Sequence, residues 1–305
     1  MKRIFLSTIL LSFIITGCKK DNDTFVEDQK NEEPQQTLVT DGVVGGRYQF
    51  SSSESLSKMM GELRNDEELL EKKMKELYLK GFRPKYPIGD IENDPELIKL
   101  YEGKPDTVDD ETEEEKEEEN MISDPLLASF IDENNEIVVK DTLYKFTTRG
   151  VFSSHLKDSL KLKNYLKDRQ PQLSAEELLK LRETASGKQQ VADGVYRFIA
   201  PISELERNNI KEEQKRIANL TPANELQPII DGLPITRGDR NWFLHRIFGE
   251  SRVATEHFDR RHRVKIEFFN QNYGFYKSVG ISVRNQTRRF RIWWASKANE
   301  VVLGI

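Results

Sequence analysis

The order of hydrophobic and polar positions predicts two helices near the start of the folded part of this chain. Hydrophobic side chains recur at helical spacing in two successive runs, first Leu56, Met59, Met60 and Leu63, then Leu69, Leu70, Met74 and Leu77. Ser51 and Glu54 have the spacing of a capping box before the first run. Gly81 follows the second run, and helices commonly end on glycine. We therefore expect two consecutive amphipathic helices, preceded by a short strand at 47–50.

Between residues 121 and 199 the pattern predicts a hairpin and further helices. Pro125 follows Asp124 and is expected in the first turn of a short helix. Lys140 and Asp141 separate two runs of strand-forming residues, which is typical of a β-hairpin. Helical spacing returns in 154–169 and 175–186, residues 194–199 resemble a strand, and a charged helix is expected up to about residue 220.

The last fifth of the chain alternates with a period of two, which is the pattern of a sheet with one buried face. The hydrophobic members of the alternation are Val264, Ile266 and Phe268, then Ile281 and Val283, then Phe290, Ile292 and Trp294. Residues 301–303 are expected to add a closing strand. The predicted fold class is therefore α+β, with N-terminal helices packed on or beside a C-terminal antiparallel β-sheet.

Charge is distributed unevenly along the chain, although the formal net charge is only -5. Residues 90–119 contain fifteen acids against three lysines, whereas residues 237–305 contain fourteen Arg and Lys against six acids. Acidic runs such as 113–119 repel themselves and stay solvated. We therefore expect a globular region at 47–305 that is interrupted by a disordered acidic insert at about 89–120.

The first eighteen residues combine a cationic start, an apolar run and the only cysteine of the chain. The apolar run 4–15 follows Lys2 and Arg3, and Cys18 comes after two small residues. The run is shorter than the roughly 20 residues that a membrane-spanning helix needs. This segment resembles a bacterial lipoprotein signal peptide with its lipobox. The resemblance implies that residues 1–17 are removed and that Cys18 carries two or three acyl chains, palmitate among them, which anchor the protein to a membrane.

Residues 18–46 are polar and acidic and show no periodic pattern, so we expect a flexible tether. A random coil of about 27 residues has an end-to-end distance of roughly 30 Å. The order of lysines and acids after Cys18 resembles the export signals of some surface lipoproteins of the Bacteroidota, and residues 121–152 resemble a segment of cell-envelope lipoproteins of that group. The resemblance implies an exported protein at the outer membrane, exposed at the cell surface. A generic charged linker is the alternative interpretation of these first residues.

The basic side of the predicted C-terminal sheet is a candidate binding surface for polyanions. If Phe290, Ile292 and Trp294 point inward, the alternation places Arg289, Arg291 and Trp293 outward, and Arg263, Lys265, Phe269 and Arg284 are expected to join them. Guanidinium groups bind phosphate, sulfate and carboxylate, and an aromatic ring stacks on a sugar or a base. The partner class is an anionic glycan, lipopolysaccharide headgroups or nucleic acid, although no specific nucleic-acid motif is present. In the alternative, helices and acids from earlier in the chain cover this face.

The sequence contains no recognisable catalytic or metal-binding motif. The four histidines lie outside any HExxH pattern, and neither a GxSxG elbow nor a GxxxxGK[ST] phosphate loop occurs. His257 and His262 are five residues apart, which places them on different faces of a helix or a strand. We therefore predict no metal and no cofactor, and expect a binding or structural role. The alternative from another class is a hydrolase of envelope or dietary glycans, whose paired carboxylates the sequence does not locate.

Overall fold

A seven-stranded sheet contains all the described strands before residue 200. The computed structural model describes residues 40–107, 121–167, 175–184, 187–204, 206–208 and 247–296. In chain order the strands are β1 (Gly42–Val44), β2 (Arg47–Phe50), β3 (Glu136–Val139), β4 (Thr142–Thr147), β5 (Gly150–His155), β6 (Lys188–Ala192) and β7 (Val195–Phe198). Their spatial order is β1-β2-β3-β4-β5-β7-β6, and only the β2–β3 pair is parallel. Parallel strands need a long connection, and the helices between β2 and β3 in the sequence provide it.

The described helices lie mainly in the chain between β2 and β3 and between β5 and β6. They are α1 (Ser53–Arg64), α2 (Glu67–Leu79), α3 (Pro95–Leu100), α4 (Pro125–Ala128), α5 (Ser159–Lys167) and α6 (Ala175–Thr184), with a 3-10 turn at Leu156–Asp158. The first four begin on side-chain caps, namely Ser52, Asp66, Asp94 and Asp124, whose oxygens accept backbone N–H groups of the first turn. The cap of α1 is Ser52, one residue after the predicted Ser51.

The second sheet has four antiparallel strands in the order β11-β10-β9-β8. They are β8 (Gly249–His257), β9 (His262–Asn272), β10 (Lys277–Arg289) and β11 (Ile292–Ser296). The outer edge of β11 bonds to the segment before α3, because the Gly89 N–H donates to the Ala295 carbonyl and the Ala295 N–H donates to that of Pro87. In the part of the chain that the structure describes, no strand pairs with the outer edge of β8.

One hydrophobic cluster connects the helices to both sheets. At one end of the second sheet, Trp294 is fully buried and its ring lies edge-on to Tyr101 at 5.1 Å and to Tyr78 at 6.2 Å. At the other end, Tyr273 packs edge-on against Phe146 of β4, with 5.4 Å between the ring centroids. The second sheet is therefore held by aromatic contacts at both ends of its strands.

The fold confirms the predicted α+β class, both amphipathic helices and the hairpin around Lys140 and Asp141. The predicted disordered insert at about 89–120 is wrong for residues 89–107, which include α3 and the buried Leu97 and Tyr101. The predicted tether 18–46 extends too far, because β1 begins at Gly42. The helix predicted for 154–169 begins later than expected, at Ser159, because β5 continues to His155 and a 3-10 turn follows it. Residues 108–120, most of the helix predicted to end near residue 220 and the closing strand 301–303 lie outside the described residues.

Candidate functional site

One face of the second sheet is lined by polar and charged side chains, and we call it the polar face. Because residues directly opposite each other in an antiparallel pair point to the same side, the register defines its members. Its polar and aromatic members are Ser251, Thr255, His257, Arg263, Lys265, Glu267, Phe269, Gln271, Ser278, Ser282, Arg284, Gln286, Arg288 and Trp293, and Gly249, Val253, Gly280 and Ala295 lie among them. The face has four cationic side chains and, counted over the described strands, one carboxylate, that of Glu267.

The middle of the polar face is buried, a point that the sequence left open, whereas Thr255 and His257 of the edge strand β8 are exposed. Lys265 is 1% exposed, Glu267 0% and Trp293 6%. Arg263 is buried as well. The strand register places Arg263, Lys265, Arg284 and Trp293 on one face, as the alternation predicts. The alternative interpretation, in which this face is covered, describes it better.

Glu267 lies between two cations in the middle of the polar face. Its Oε1 atom is 3.3 Å from Lys265 Nζ, and its Oε2 atom accepts a hydrogen bond from the Arg284 guanidinium. Burying charged groups costs several kcal/mol per ion unless they are paired and hydrogen-bonded. The single carboxylate therefore offsets part of the cost of burying the two basic side chains.

An arginine–tryptophan stack lies at the β11 end of the polar face. The Arg263 guanidinium is 3.9 Å from the centre of the Trp293 ring, and that of Arg288 is 5.7 Å from it. The Arg263 Nε–H donates to Gln286 Oε1 at 2.8 Å. Cation–π contacts of this kind strengthen when they are desolvated, so the stack holds two guanidinium groups at fixed positions.

Several polar atoms of the polar face are buried without a hydrogen-bond partner. Within the described residues these atoms include Ser251 Oγ, Gln271 Nε2, Ser278 Oγ, Ser282 Oγ and Arg284 Nε. All five can donate hydrogen bonds, and leaving a buried donor unsatisfied costs about 1–3 kcal/mol. Such groups are rare in folded proteins, and a bound ion or other ligand is one explanation for them. Their concentration on one face therefore marks a candidate site for a ligand rich in acceptor oxygens.

Arg289 and Arg291 do not belong to the polar face. Phe290 and Arg291 form the turn between β10 and β11 with φ angles of 55° and 64°, so the alternation is interrupted there. Arg291 is exposed on this turn. Arg289 lies opposite Ile292, on the same side as Trp294, and its Nε–H donates to Asp106 Oδ2 at 2.9 Å. The prediction that these two arginines join Trp293 is therefore wrong.

Asp106 fixes the turn between β10 and β11 to the segment after α3. Its Oδ1 atom accepts the Phe290 N–H at 2.9 Å and a guanidinium N–H of Arg261 at 3.2 Å. Burial alone would raise the pKa of Asp106, but these donors and the Arg289 charge hold that pKa below its usual value. Asp106 thus stays ionised and occupies Arg289, which is not available to an external anion in this arrangement.

On the opposite side of the second sheet, the middle of β9 and β10 is hydrophobic, and we call this part the apolar face. It comprises Val264, Ile266 and Phe268 on β9 and Val279, Ile281 and Val283 on β10. Val279 is 71% exposed, Ile281 66%, Phe268 50% and Val283 39%. The sequence alternation correctly assigns these residues to one side but predicts that this side is buried. In the structure the middle rows of this side are exposed, whereas Trp294 on the same side is buried as predicted.

A second group of buried charges lies at the turn before β3. Asp132 Oδ1 accepts the backbone N–H groups of Asn134 and Glu136, and Arg47 Nε is 3.2 Å from Glu136 Oε2. Burial raises the pKa of Asp132 to about 6, against the effect of the Glu136 N–H, which stabilises the charged form. Both carboxyl groups bond to the chain itself and are buried, so this pair stabilises the turn instead of facing a substrate.

Two further findings limit the chemistry of the described residues. They contain no group of three or more His, Cys, Asp and Glu side chains that could hold a metal ion. None of the helices described is long and apolar enough to cross a membrane. Cys18, the predicted lipidation residue, lies outside the described residues.

The sequence missed the hydroxyl and amide members of the polar face. Ser251, Ser278, Ser282 and Gln271 are ordinary residues of surface strands, and their importance depends on burial, which strand register does not reveal. The period-two pattern could have found them, because each falls on the same parity as Lys265 or Arg284 within the register. Comparisons of the chain with family models, with curated proteins and with solved structures gave no match.

Proposed function

We propose that this chain is a lipid-anchored cell-envelope protein whose folded part has a binding role. The support for the anchor is the N-terminal segment, in which a cationic start, an apolar run and the single cysteine Cys18 follow one another. The support for binding is the polar face, where buried donors without acceptors lie beside four cations. The outer membrane, with the folded part at the cell surface, is the proposed location.

The anchor is tested with Cys18→Ser in cells that process bacterial lipoproteins. We expect the unchanged chain in the membrane fraction with incorporated palmitate, and the variant without label and no longer held by the membrane, because its thiol carried the acyl chains. Thr16→Ala keeps a small residue before Gly17 and serves as the matched control. Membrane retention of the Cys18→Ser variant would show that the anchor is not at this residue.

The ligand that fits the polar face is an anion with several acceptor oxygens, such as a sulfate, phosphate or carboxylate group. Arg284 is central to this proposal, because one of its nitrogens bonds to Glu267 while its buried Nε has no partner. Charge-assisted hydrogen bonds to such oxygens are the strong ones. Since Lys265 and Arg263 are buried, the face suits a small anionic group or the end of an anionic glycan better than a polymer laid flat across it. The lipopolysaccharide headgroup and the anionic glycan remain within this class.

Anion binding is tested by titrating the purified Cys18→Ser chain with inorganic phosphate, inorganic sulfate and a short heparin oligosaccharide. We expect Arg284→Ala to weaken binding by about 10- to 100-fold, because one charged hydrogen-bond partner is worth about 1.5–3 kcal/mol. Glu267→Gln is expected to tighten binding, because it removes the competing carboxylate. Ser282→Ala gives a milder decrease and keeps the test open if Arg284→Ala does not fold.

The matched control for this titration is Lys58→Ala on α1, which removes one positive charge from a side chain that is 77% exposed. It is expected to leave the affinity unchanged. Binding that falls with salt but responds equally to Lys58→Ala and Arg284→Ala would indicate unspecific attraction to a charged surface. No binding of any of the three anions would contradict the proposal.

Glycan hydrolysis is the competing proposal from another class. It requires two carboxyl groups that flank an open substrate site at about 5–10 Å from each other. The buried pair Asp132 and Glu136 is engaged by backbone N–H groups and by Arg47, and Glu267 is held by Lys265 and Arg284. These contacts favour binding over hydrolysis for the described residues.

A further inference from the structure

One row of side chains crosses the first sheet and lies partly under α5. Its members lie directly opposite one another on neighbouring strands and therefore point to the same side of the sheet. In spatial order they are Glu136 of β3, Lys145 of β4, Phe152 of β5, Arg197 of β7 and Gln189 of β6. The Tyr165 ring of α5 is 5.8 Å from the Phe152 ring, measured between centroids. The row therefore has an aromatic centre with basic side chains on both sides.

Arg149 brings a second guanidinium group to this row. It lies in the turn between β4 and β5, and its guanidinium is 5.9 Å from the centre of the Phe152 ring. Arg197 reaches the same stretch of β5, because its Cγ atom is 3.3 Å from the position that a Cβ on Gly150 would take. Burial lowers the pKa of Arg197, Tyr165 opposes this effect, and the nearby charge of Arg149 adds to it. The two cations are therefore close enough to repel each other.

Among the described residues, no carboxylate forms an ion pair with Arg149 or Arg197. The Arg197 guanidinium donates a hydrogen bond to Gln189 Oε1 at 3.0 Å, and that of Arg149 contacts an aromatic ring. Other partly buried arginines do have acidic partners, as Arg289 has in Asp106 at 2.9 Å. Because a guanidinium has five N–H donors, most donors of this pair have no acceptor in the described part of the chain.

The one acid of the row is distant from Arg197 and engaged by other cations. Glu136 is three strands away, which at about 4.8 Å per strand separates the two backbones by roughly 14 Å. Charges that far apart near a surface are largely screened, since the Debye length is about 8 Å at physiological salt. Glu136 lies 3.2 Å from Arg47 Nε and 3.9 Å from Lys145 Nζ. Lys145 also bonds to the Asn134 carbonyl, so it adds positive charge to the row while its ammonium group stays bound to the chain.

We infer that Arg149 and Arg197 bind a phosphate group between them. Two like charges held side by side repel each other, and an anion between them removes this cost. A phosphate monoester carries about 1.5 to 2 negative charges at pH 7, enough to neutralise both guanidinium groups, whereas a carboxylate carries one. Its oxygens accept the paired N–H groups that each guanidinium presents as a fork. This site lies on the first sheet and is independent of the anion proposed for the polar face of the second.

Free inorganic phosphate and a phosphorylated sugar both offer this chemistry. Arg149 and Arg197 are each partly exposed, so a phosphate group attached to a larger molecule can reach them. Glucose 6-phosphate distinguishes the two sources. An affinity at least equal to that of inorganic phosphate would indicate a phosphorylated sugar, and a clear loss would indicate the free ion.

The site is tested by titrating the purified Cys18→Ser chain with inorganic phosphate and following the arginine Nε–H resonances by NMR. We expect those of Arg149 and Arg197, assigned with the corresponding lysine variants, to shift with the same affinity. Arg197→Gln should weaken the affinity reported by Arg149 about 10- to 100-fold, because it removes one charged set of donors. Arg149→Gln gives the reciprocal measurement and keeps the test decisive if Arg197→Gln does not fold.

Controls separate this site from the polar face and from general attraction to positive charge. Arg284→Ala should leave the shifts of Arg149 and Arg197 unchanged, so a failure of either anion site is recognised by itself. Arg260→Gln removes an exposed arginine from the turn between β8 and β9 and should leave the phosphate affinity unchanged. The inference would be overturned if neither resonance shifted at millimolar phosphate, or if Arg260→Gln weakened binding as much as Arg197→Gln. Equal affinity for acetate would contradict the assignment to phosphate.

Discussion

Glu206→Ala is expected to lower the free energy of unfolding by about 3–5 kcal/mol, because it leaves a buried guanidinium without its carboxylate. Arg182 of α6 donates two hydrogen bonds to Glu206, at 2.6 and 2.8 Å, and a third from Nε to the Ala200 carbonyl at 2.8 Å. Both side chains are only 2–3% exposed. The pair links α6 to the segment after β7, so its loss exposes both to local unfolding. Urea unfolding followed by circular dichroism measures the change.

Two controls distinguish a buried pair from a surface pair. Glu62→Ala breaks the Lys58–Glu62 pair of α1, which is exposed and separated by 3.9 Å, and is expected to cost less than about 1 kcal/mol. Replacing both buried partners, as in Arg182→Met with Glu206→Leu, should recover most of the lost stability, because no uncompensated charge remains. A loss as small for Glu206→Ala as for Glu62→Ala would show that Arg182 finds another partner.

Local sequence signals predicted those parts of the fold that depend on neighbouring residues. The helical spacing of Leu56, Met60 and Leu63 matches the buried side of α1, and the polar pair Lys140 and Asp141 does mark a hairpin. No local sequence signal predicted two other features, because each joins residues far apart in sequence. These are the parallel pairing of β2 with β3 and the position of the segment 87–89 beside β11. The acidic composition around residue 100 concealed α3, where the buried Leu97 and the buried Tyr101 that follows the helix anchor a charged segment.

The candidate site was predicted in membership but not in exposure. Alternation tells which side chains share a face, and Arg263, Lys265, Arg284 and Trp293 do share one. It does not tell which face is covered, since that depends on contacts between distant parts of the chain. Arg289 and Arg291 were assigned wrongly because the turn at Phe290 and Arg291 lacks the Asn or Gly that usually marks a two-residue turn with positive φ.

The two faces of the second sheet carry different kinds of side chain. Lys265 and Arg284 lie on one side, and Phe268 and Ile281 on the other, of strands that are fixed at both ends by Tyr273 and Trp294. Val279 lies on the side of the sheet away from these cations, so Val279→Glu should leave anion affinity unchanged.

Trp294→Ala is expected to cost about 3–5 kcal/mol of stability, because it removes a fully buried indole from the contact between the second sheet and the helices. The indole packs edge-on against Tyr101 and Tyr78, and its neighbour Ala295 bonds to the segment 87–89. Loss of this packing should loosen the β11 end of the sheet, where Arg263 and Trp293 also lie. Urea unfolding at low protein concentration measures the effect on the single chain.

Trp294→Phe should cost clearly less than Trp294→Ala, for a reason specific to this site. Trp294 Nε1 is buried without a hydrogen-bond partner in the described part of the chain, which costs the native state about 1–3 kcal/mol. Phenylalanine keeps most of the aromatic packing and removes this donor, so the two effects partly cancel. Phe258→Ala, at an aromatic residue that is 66% exposed, is the matched control and should change stability by less than about 0.5 kcal/mol. Equal losses for Trp294→Phe and Trp294→Ala would show that the indole N–H makes a stabilising hydrogen bond.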